Sequence, residues 1–252
     1  MFDVDGVLVR HTEPVAGAPE TLAALRRRGT GVAFVTNNAS RTPAEVAHVL
    51  TAAGIEAAAD EVVTSSLGAV ELLEPGTRCL VIGMHGLRTA LDEHGCVVVT
   101  EPDEAQAVVV GWDRSLRWDD LRRATLALAG GARFVGTNAD ASYPGSDGPW
   151  PGNGAILAAL TVASGREPEI AGKPGAAMFR AAARKLPSGP LLMVGDRPET
   201  DLSGAAELGW DTALVLTGVT TAEAATGLHP RPTWVLDDLD ALLQPVGSSA
   251  GR

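Results

Sequence analysis

Short apolar runs that stop abruptly at polar residues set the rhythm of this chain. Leu191-Leu192-Met193-Val194 is continuously apolar and of strand length, and Gly195-Asp196 ends it at once. A run of this kind, bounded by turn residues, reads as a strand buried on both faces. Val32 to Val35 is another, ending in Thr36-Asn37-Asn38, and Val62-Val63-Thr64 is a shorter third. Between the strands the period lengthens to that of helices. Pro19 to Arg28 carries Leu22 and Leu25 on one face, with Gly29 as its stop. Thr42-Pro43-Ala44-Glu45 reads as a capping box with proline at the first helical position. Val46, Val49 and Leu50 supply that helix's buried stripe, and Gly54 ends it. Ser66 opens a further helix that ends by Pro75-Gly76. The stretch from Asp5 to Ala18 reads as a polar and small-residue loop, and only Met1 and Phe2 precede Asp3, which makes a short first strand.

Alternating strands and helices predict a parallel sheet with right-handed crossovers. From Thr77 to about Arg166 a separate set of elements follows. It comprises strands at Cys79–Ile82, Val97–Thr100, Val108–Val110 and Phe134-Val135, and helices at Leu87–His94, Trp118–Leu128 and Ala155–Ser164. A long Gly/Pro-rich loop, Gly136 to Gly154, lies before the last helix, and such a loop inside a compact unit is more often functional than idle. Trp112, Trp118 and Trp150 fall here and read as core of this part. The first pattern resumes at Lys173 with a helix over Ala176–Lys185, the Leu191 strand, a helix to Gly209, and strands at Ala213–Leu216 and Trp234–Leu236. The expected fold is α/β: a doubly wound parallel-sheet core over 1–76 and 167–246, a smaller α/β domain inserted at 77–166, and a disordered tail at 247–252.

Composition narrows the function. The 252 residues carry a net charge of −11, which disfavours nucleic acid and anionic membranes as partners. No apolar run approaches the length of a membrane span, and no secretory leader precedes Asp3. Cys79 and Cys96 lack metal-ligand spacing and read as reduced thiols, so the expected location is cytoplasmic.

Polar residues at strand ends carry the candidate chemistry. In open α/β sheets ligands bind at the carboxyl edge of the strands, which is where Asp196 falls. Asp3 and Asp5 lie at the end of the first strand, and alternation places them on one side with Val4 facing the core. Three carboxylates from two strand ends invite Mg²⁺, a hard cation held by oxygen ligands. Lys173 and Lys185 are the only lysines, and Lys173 sits in a turn leading into a helix, Ala171-Gly172-Lys173-Pro174-Gly175. Plainer readings stand beside these. Thr36 caps a turn, Asn37 and Asn38 are left-handed turn residues, Lys173 is solvated, Asp201 is the N-cap of the next helix, and Asn138 and Asp140 are ordinary loop residues.

Taken together and in order, Asp3-Val4-Asp5-Gly6-Val7, Val35-Thr36-Asn37-Asn38, Gly172-Lys173-Pro174 and Gly195-Asp196-Arg197-Pro198-Glu199-Thr200-Asp201 resemble the four motifs of the haloacid dehalogenase superfamily of phosphatases. The second motif and the insertion after it are similar to subclass IIA, the NagD-like phosphatases with a C2-type cap. Gly136-Thr137-Asn138-Ala139-Asp140 and Pro151-Gly152-Asn153-Gly154 look like cap-loop signatures of that subclass. General similarity is greatest to bacterial glycerol-phosphate phosphatases. The resemblance implies a Mg²⁺-dependent hydrolase of a small phosphorylated metabolite, and a homodimer through the cap. It implies Asp3 as nucleophile, forming an aspartyl-phosphate, and Asp5 as general acid and base once cap closure desolvates it. Asp3, Asp5 (through its backbone carbonyl) and Asp196 would hold the metal, and Thr36, Asn37, Asn38 and Lys173 the phosphate. Asp201 would orient metal waters or Lys173. A phosphotransferase of the same superfamily and a receiver-like phospho-acceptor are the alternatives. The inserted domain and the additional Asp5 argue against the receiver.

Overall fold

The computed structural model describes residues 1–145 and 147–244. The tail expected at 247–252 lies outside the described residues. The chain folds as two compact units. One is made of Met1–Thr36, Pro43–Val63 and residues 173–244; the other of Asn37–Thr42 and, among the described residues, Thr64–Gly172.

The first unit begins with β1 (Phe2–Asp3), the hairpin of β2 (Val9–Arg10) and β3 (Glu13–Pro14), α1 (Ala18–Arg27), β4 (Phe34–Thr36), α2 (Pro43–Ala52) and β5 (Val62–Thr64). The second comprises α3 (Ser65–Val70), β6 (Arg78–Ile82), α4 (His85–Glu93), β7 (Val97–Val99), β8 (Ala107–Val110), α5 (Trp118–Ala129) and β9 (Arg133–Gly136). It continues with β10 (Ser142–Gly145), β11 (Gly148–Pro151), α6 (Asn153–Ser164) and β12 (Glu169–Ile170). The first unit then resumes with α7 (Ala176–Ala183), β13 (Leu192–Gly195), a π-helical turn (Pro198–Leu202), α8 (Ser203–Glu207), β14 (Asp211–Val215), α9 (Ala222–Ala225) and β15 (Trp234–Leu236).

The first unit is built on a six-stranded sheet of order β15-β14-β13-β1-β4-β5. β1 pairs in parallel with both β13 and β4, Phe2 lying beside Val194 and Phe34. A two-residue strand persists in this central place because its neighbours satisfy it on both edges and its side chains are buried. Phe2, Phe34 and Val194 join Leu22, Leu50, Ile55, Val62 and Val215 in one core. The stretch after Asp5 departs from the expected polar loop. Val7, Leu8 and Val9 are fully buried in that core, and β2 turns back on β3.

The second unit carries a five-stranded parallel sheet, β12-β9-β8-β6-β7. Its central strands β6, β8 and β9 are apolar on both faces because both are covered, whereas the edge strand β7 leaves Val97 and Val98 exposed. Cys79, Val81, Val109 and Val135 face one cluster with Leu87 and Leu91 of α4. Leu80, Ile82, Val108, Val110 and Phe134 face another with Leu128 of α5 and Leu160 of α6.

The division between units falls at 63/64 and 172/173, against the expected 76/77 and 166/167. Packing explains the shift. Ala69, Val70 and Leu73 are buried with Cys79 and Val81, and Ala171 joins the same cluster. The loop expected at Gly136–Gly154 contains the antiparallel pair β10–β11, with Tyr143 opposite Trp150. The tryptophans do not form a core: Trp118 is 82% exposed, and Trp112 stacks on Tyr143 at 4.5 Å between ring centroids.

Candidate active site

Asp3 ends β1 and is buried. The chain turns immediately. Leu8 and Val9 both donate backbone hydrogen bonds to the Val4 carbonyl, and Gly6 N–H donates to Val9. Gly6 has φ 90°, and a Cβ there would stand 2.6 Å from Asp196 Oδ2. A left-handed conformation and a close approach together require glycine. Asp5 is exposed, and β1 stops at Asp3, so strand alternation does not extend far enough to place Asp3 and Asp5 on one face.

β13 lies beside β1 and delivers Asp196 one residue past its end. Here too a glycine is a packing requirement. A Cβ on Gly195 would overlap the Asp201 side chain, lying 2.5 Å from its Oδ2. Asp201 comes from the π-helical turn, is 1% exposed, and accepts the backbone N–H groups of Asp196 (3.1 Å) and Arg197 (3.0 Å) through Oδ2. Its Oδ1 accepts Lys173 Nζ at 2.7 Å. Lys173, also buried, donates as well to Asp3 Oδ1 and to the Val35 carbonyl at 3.3 Å.

One buried ammonium thus faces three buried carboxylates, and carboxylate oxygens of Asp3, Asp196 and Asp201 lie within 4.8 Å of one another. Burial pushes the Asp3 carboxyl well above its ordinary range. The charges of Asp201, Asp196 and Asp5 push the same way, and Lys173 opposes them. Asp196 is raised to about 6, first by burial and then by the Asp201 charge. For Lys173 burial works to lower the pKa, but Asp201 and Asp3 outweigh it and hold the ammonium above its usual value. Asp196 Oδ2 accepts the Val219 N–H at 2.8 Å, while Oδ1 is buried with no hydrogen-bond partner among the described residues. A buried orphan oxygen in a cluster of excess negative charge costs free energy unless a cation meets it. The residues therefore fit a hard divalent ion such as Mg²⁺. Both oxygens of Asp201 already hold protein donors, which leaves Asp3 and Asp196 as the carboxylates suited to an ion.

Thr36 ends β4 and is 2% exposed. Asn37 and Asn38 open the first segment of the second unit. The Asn37 carbonyl accepts Ser65 Oγ (2.6 Å) and Asn138 Nδ2 (2.8 Å), and its own Nδ2 donates to Asp140 Oδ1 at 3.4 Å. Asn38 Oδ1 accepts both the N–H and the hydroxyl of Ser40, the short-range bonding of a turn residue. Asn138 is buried, and its carbonyl accepts Asn153 Nδ2 at 2.7 Å. The two candidate loop signatures are thus joined by a side-chain amide. The loop after β14 also reaches the site, and Thr217-Gly218 follows a strand end as the other polar candidates do. In the structure Val219 holds Asp196 and the Thr220 hydroxyl donates to the Asp196 carbonyl at 2.6 Å.

The model of the haloacid dehalogenase-like hydrolases matches residues 1–97, and a second of the same kind, HAD-hydrolase-like, matches residues 170–242. The D-glycerol 3-phosphate phosphatase of Mycobacterium tuberculosis is 39% identical over 97% of this chain and 70% of its own. A crystal structure of a glycerol phosphate phosphatase from the same organism, in complex with magnesium, matches with a TM-score of 0.91 and 38% identity, covering 96% of this chain and 75% of that one. NagD from Escherichia coli K-12 matches with a TM-score of 0.87 and 30% identity over 94% of this chain and 95% of its own. A carboxylate cluster at the edge of a parallel sheet, the order of the four motifs and these likenesses converge: the chain belongs to the haloacid dehalogenase-like hydrolases, in their NagD-like branch.

Proposed function

We propose that this protein is a magnesium-dependent phosphatase that hydrolyses a small phosphate monoester through an aspartyl-phosphate on Asp3, with glycerol phosphate the first substrate to test. The observation that carries the reading is the buried cluster in which Lys173 reaches Asp3 and Asp201 while Asp196 keeps an orphan Oδ1.

Asp3 and Asp196, with the backbone carbonyl of Asp5, would hold the ion. When bound, magnesium offsets the repulsion between the Asp3 carboxylate and a phosphate dianion. An Asp3 oxygen attacks phosphorus and the bond to the leaving alcohol oxygen breaks. Asp5, as the carboxylic acid, gives that oxygen its proton. Its exposure leaves the bound ester to supply the desolvation that raises its pKa. In the second half, Asp5 takes a proton from water as that water attacks phosphorus. The bond to Asp3 breaks, inorganic phosphate leaves, and both carboxyl groups return to their starting forms. Lys173, charged throughout the neutral range, and the Thr36 hydroxyl stabilise the phosphoryl oxygens. The backbone N–H groups around Asn37 complete the cradle, and Asn38 shapes the turn that presents them. Asp201 orients Lys173.

The inserted unit would act as the cap that selects the substrate. Cytoplasmic residence is supported by Cys79 and Cys96, both buried and free of a disulfide. Among the described residues no helix is long and apolar enough to cross a membrane. The resemblance favours a homodimer, which sedimentation would check.

The test is phosphate release from a panel of glycerol phosphate, phosphoglycolate, sugar phosphates, nucleotides and p-nitrophenyl phosphate, with Mg²⁺ or EDTA. Magnesium-dependent release by wild type that Asp3→Asn abolishes is the expected result. Folded wild-type protein that releases phosphate from no ester would overturn the proposal.

A further inference from the structure

We propose that the loop Thr217–Thr220, which follows β14, is the positioning device that turns Asp196 toward the metal. The inference rests on the reading of Asp196 as a carboxylate that holds the cation.

Three independent contacts converge on one side of Asp196. Val219 N–H donates to Oδ2 at 2.8 Å, which fixes the carboxylate's rotation. The Thr220 hydroxyl donates to the Asp196 carbonyl at 2.6 Å, which fixes its backbone. Gly218 lies so close that any side chain there would overlap the Asp196 Oδ2, Cγ and Cβ atoms. Gly6 closes the same side from the loop after Asp3, with its missing Cβ 2.6 Å from Oδ2. With Oδ2 enclosed by Val219, Gly218 and Gly6, Oδ1 is the oxygen left unsatisfied. The loop also reaches the other half of the site. The Thr217 hydroxyl donates to the Gly6 carbonyl at 3.2 Å, and Arg10 donates to the Thr217 carbonyl. One four-residue segment therefore ties the turn after Asp3 to the turn that carries Asp196. A ligand oxygen held this way loses little rotational freedom when a cation arrives, and groups that orient a metal's ligands typically change its affinity by roughly ten- to a hundredfold when removed.

Thr220→Val removes the hydroxyl at nearly constant shape, Thr220→Ser restores it, and Gly218→Ala introduces the methyl that displaces Asp196. Calorimetric titration of the substrate-free protein with Mg²⁺ reads affinity directly, and steady-state turnover against Mg²⁺ concentration gives a second value. Thr220→Val should weaken Mg²⁺ binding about tenfold and Gly218→Ala more. Thr220→Ser should recover most of the loss, and the melting temperature of Thr220→Val in EDTA should stay near wild type. Asp196→Asn is the control. If it loses Mg²⁺ while folded Thr220→Val and Gly218→Ala bind within twofold of wild type, the site reading stands and the loop's role is overturned. If Asp196→Asn binds Mg²⁺ as wild type does, both fall.

Discussion

Lys173 Nζ and Asp201 Oδ1 lie 2.7 Å apart, both buried, and the second oxygen of the same carboxylate holds the backbone of Asp196 and Arg197. Asp201 is thus a bracket between the ammonium and the turn that carries Asp196. Asp201→Asn keeps the shape but removes the charge and one acceptor. Turnover should fall roughly 10–100-fold. Asp201→Ala leaves two buried N–H groups and part of the Lys173 charge uncompensated, and should cost about 3–5 kcal/mol. Urea denaturation of both variants beside their kinetics would check this; equal stability with full activity would refute the bracket.

Asp196 should make the metal-free protein sensitive to pH in an unusual direction. Its carboxyl is raised from 3.8 to about 6. A carboxyl raised by folding favours the fold below its unfolded pKa, and that advantage is lost as pH rises through the folded value. In EDTA, Asp196→Asn should therefore be more stable than wild type above about pH 6, by up to roughly 3 kcal/mol at about 1.4 kcal/mol per unit, with the two converging near pH 4. The same variant should be inactive. Thermal melts from pH 4 to 8 would show whether the curves separate.

A more exposed pair predicts the opposite sign. Arg26 donates to both carboxylate oxygens of Glu61 at 2.7 Å. Burial would raise the Glu61 carboxyl, but the Arg26 hydrogen bonds and the Ala58 N–H overcome it and hold the value below the ordinary range. Stability from this pair is present above the unfolded pKa and lost as pH falls through the folded one. Glu61→Gln should cost about 1 kcal/mol at pH 7, and the difference in denaturation midpoint should shrink and vanish as pH falls through the folded value.

In the second unit, Asn153 Nδ2 donates to the carbonyls of Val110 (3.2 Å) and Asn138 (2.7 Å), both inside a buried region. Asn153→Ala strands the Asn138 carbonyl without solvent to replace the donor, while the Val110 carbonyl keeps the Thr137 N–H at 2.8 Å. A loss of about 1–3 kcal/mol is expected, with proteolysis appearing first in the 136–154 segment. Wild-type midpoints would count against it.

Much of this molecule could be read from local pattern. The apolar runs that stop at Asp3, Thr36 and Asp196 predict strand ends, and β1, β4 and β13 form adjacent strands of one sheet. What escaped was set by distant neighbours. Val7, Leu8 and Val9 sit among polar and small residues and form no periodic run, yet they are buried, because the hairpin β2–β3 folds them onto the core. The helix α3 looks like part of the first unit by spacing, but its apolar side meets β6. Tyr143 and Trp150 pair in a hairpin that a Gly/Pro-rich composition conceals.

Spacing and residue type alone therefore determined the α/β class, the order of the elements and the set of polar strand ends, because periodicity and turn chemistry act over a few residues. Only the tertiary structure decided which oxygens are taken and which stay open. Lys173 meets Asp3 across 170 residues of sequence, and Val219 meets Asp196 across 23. Such pairings follow from strand order and crossover packing, which bring chain ends together without leaving a mark on the local pattern.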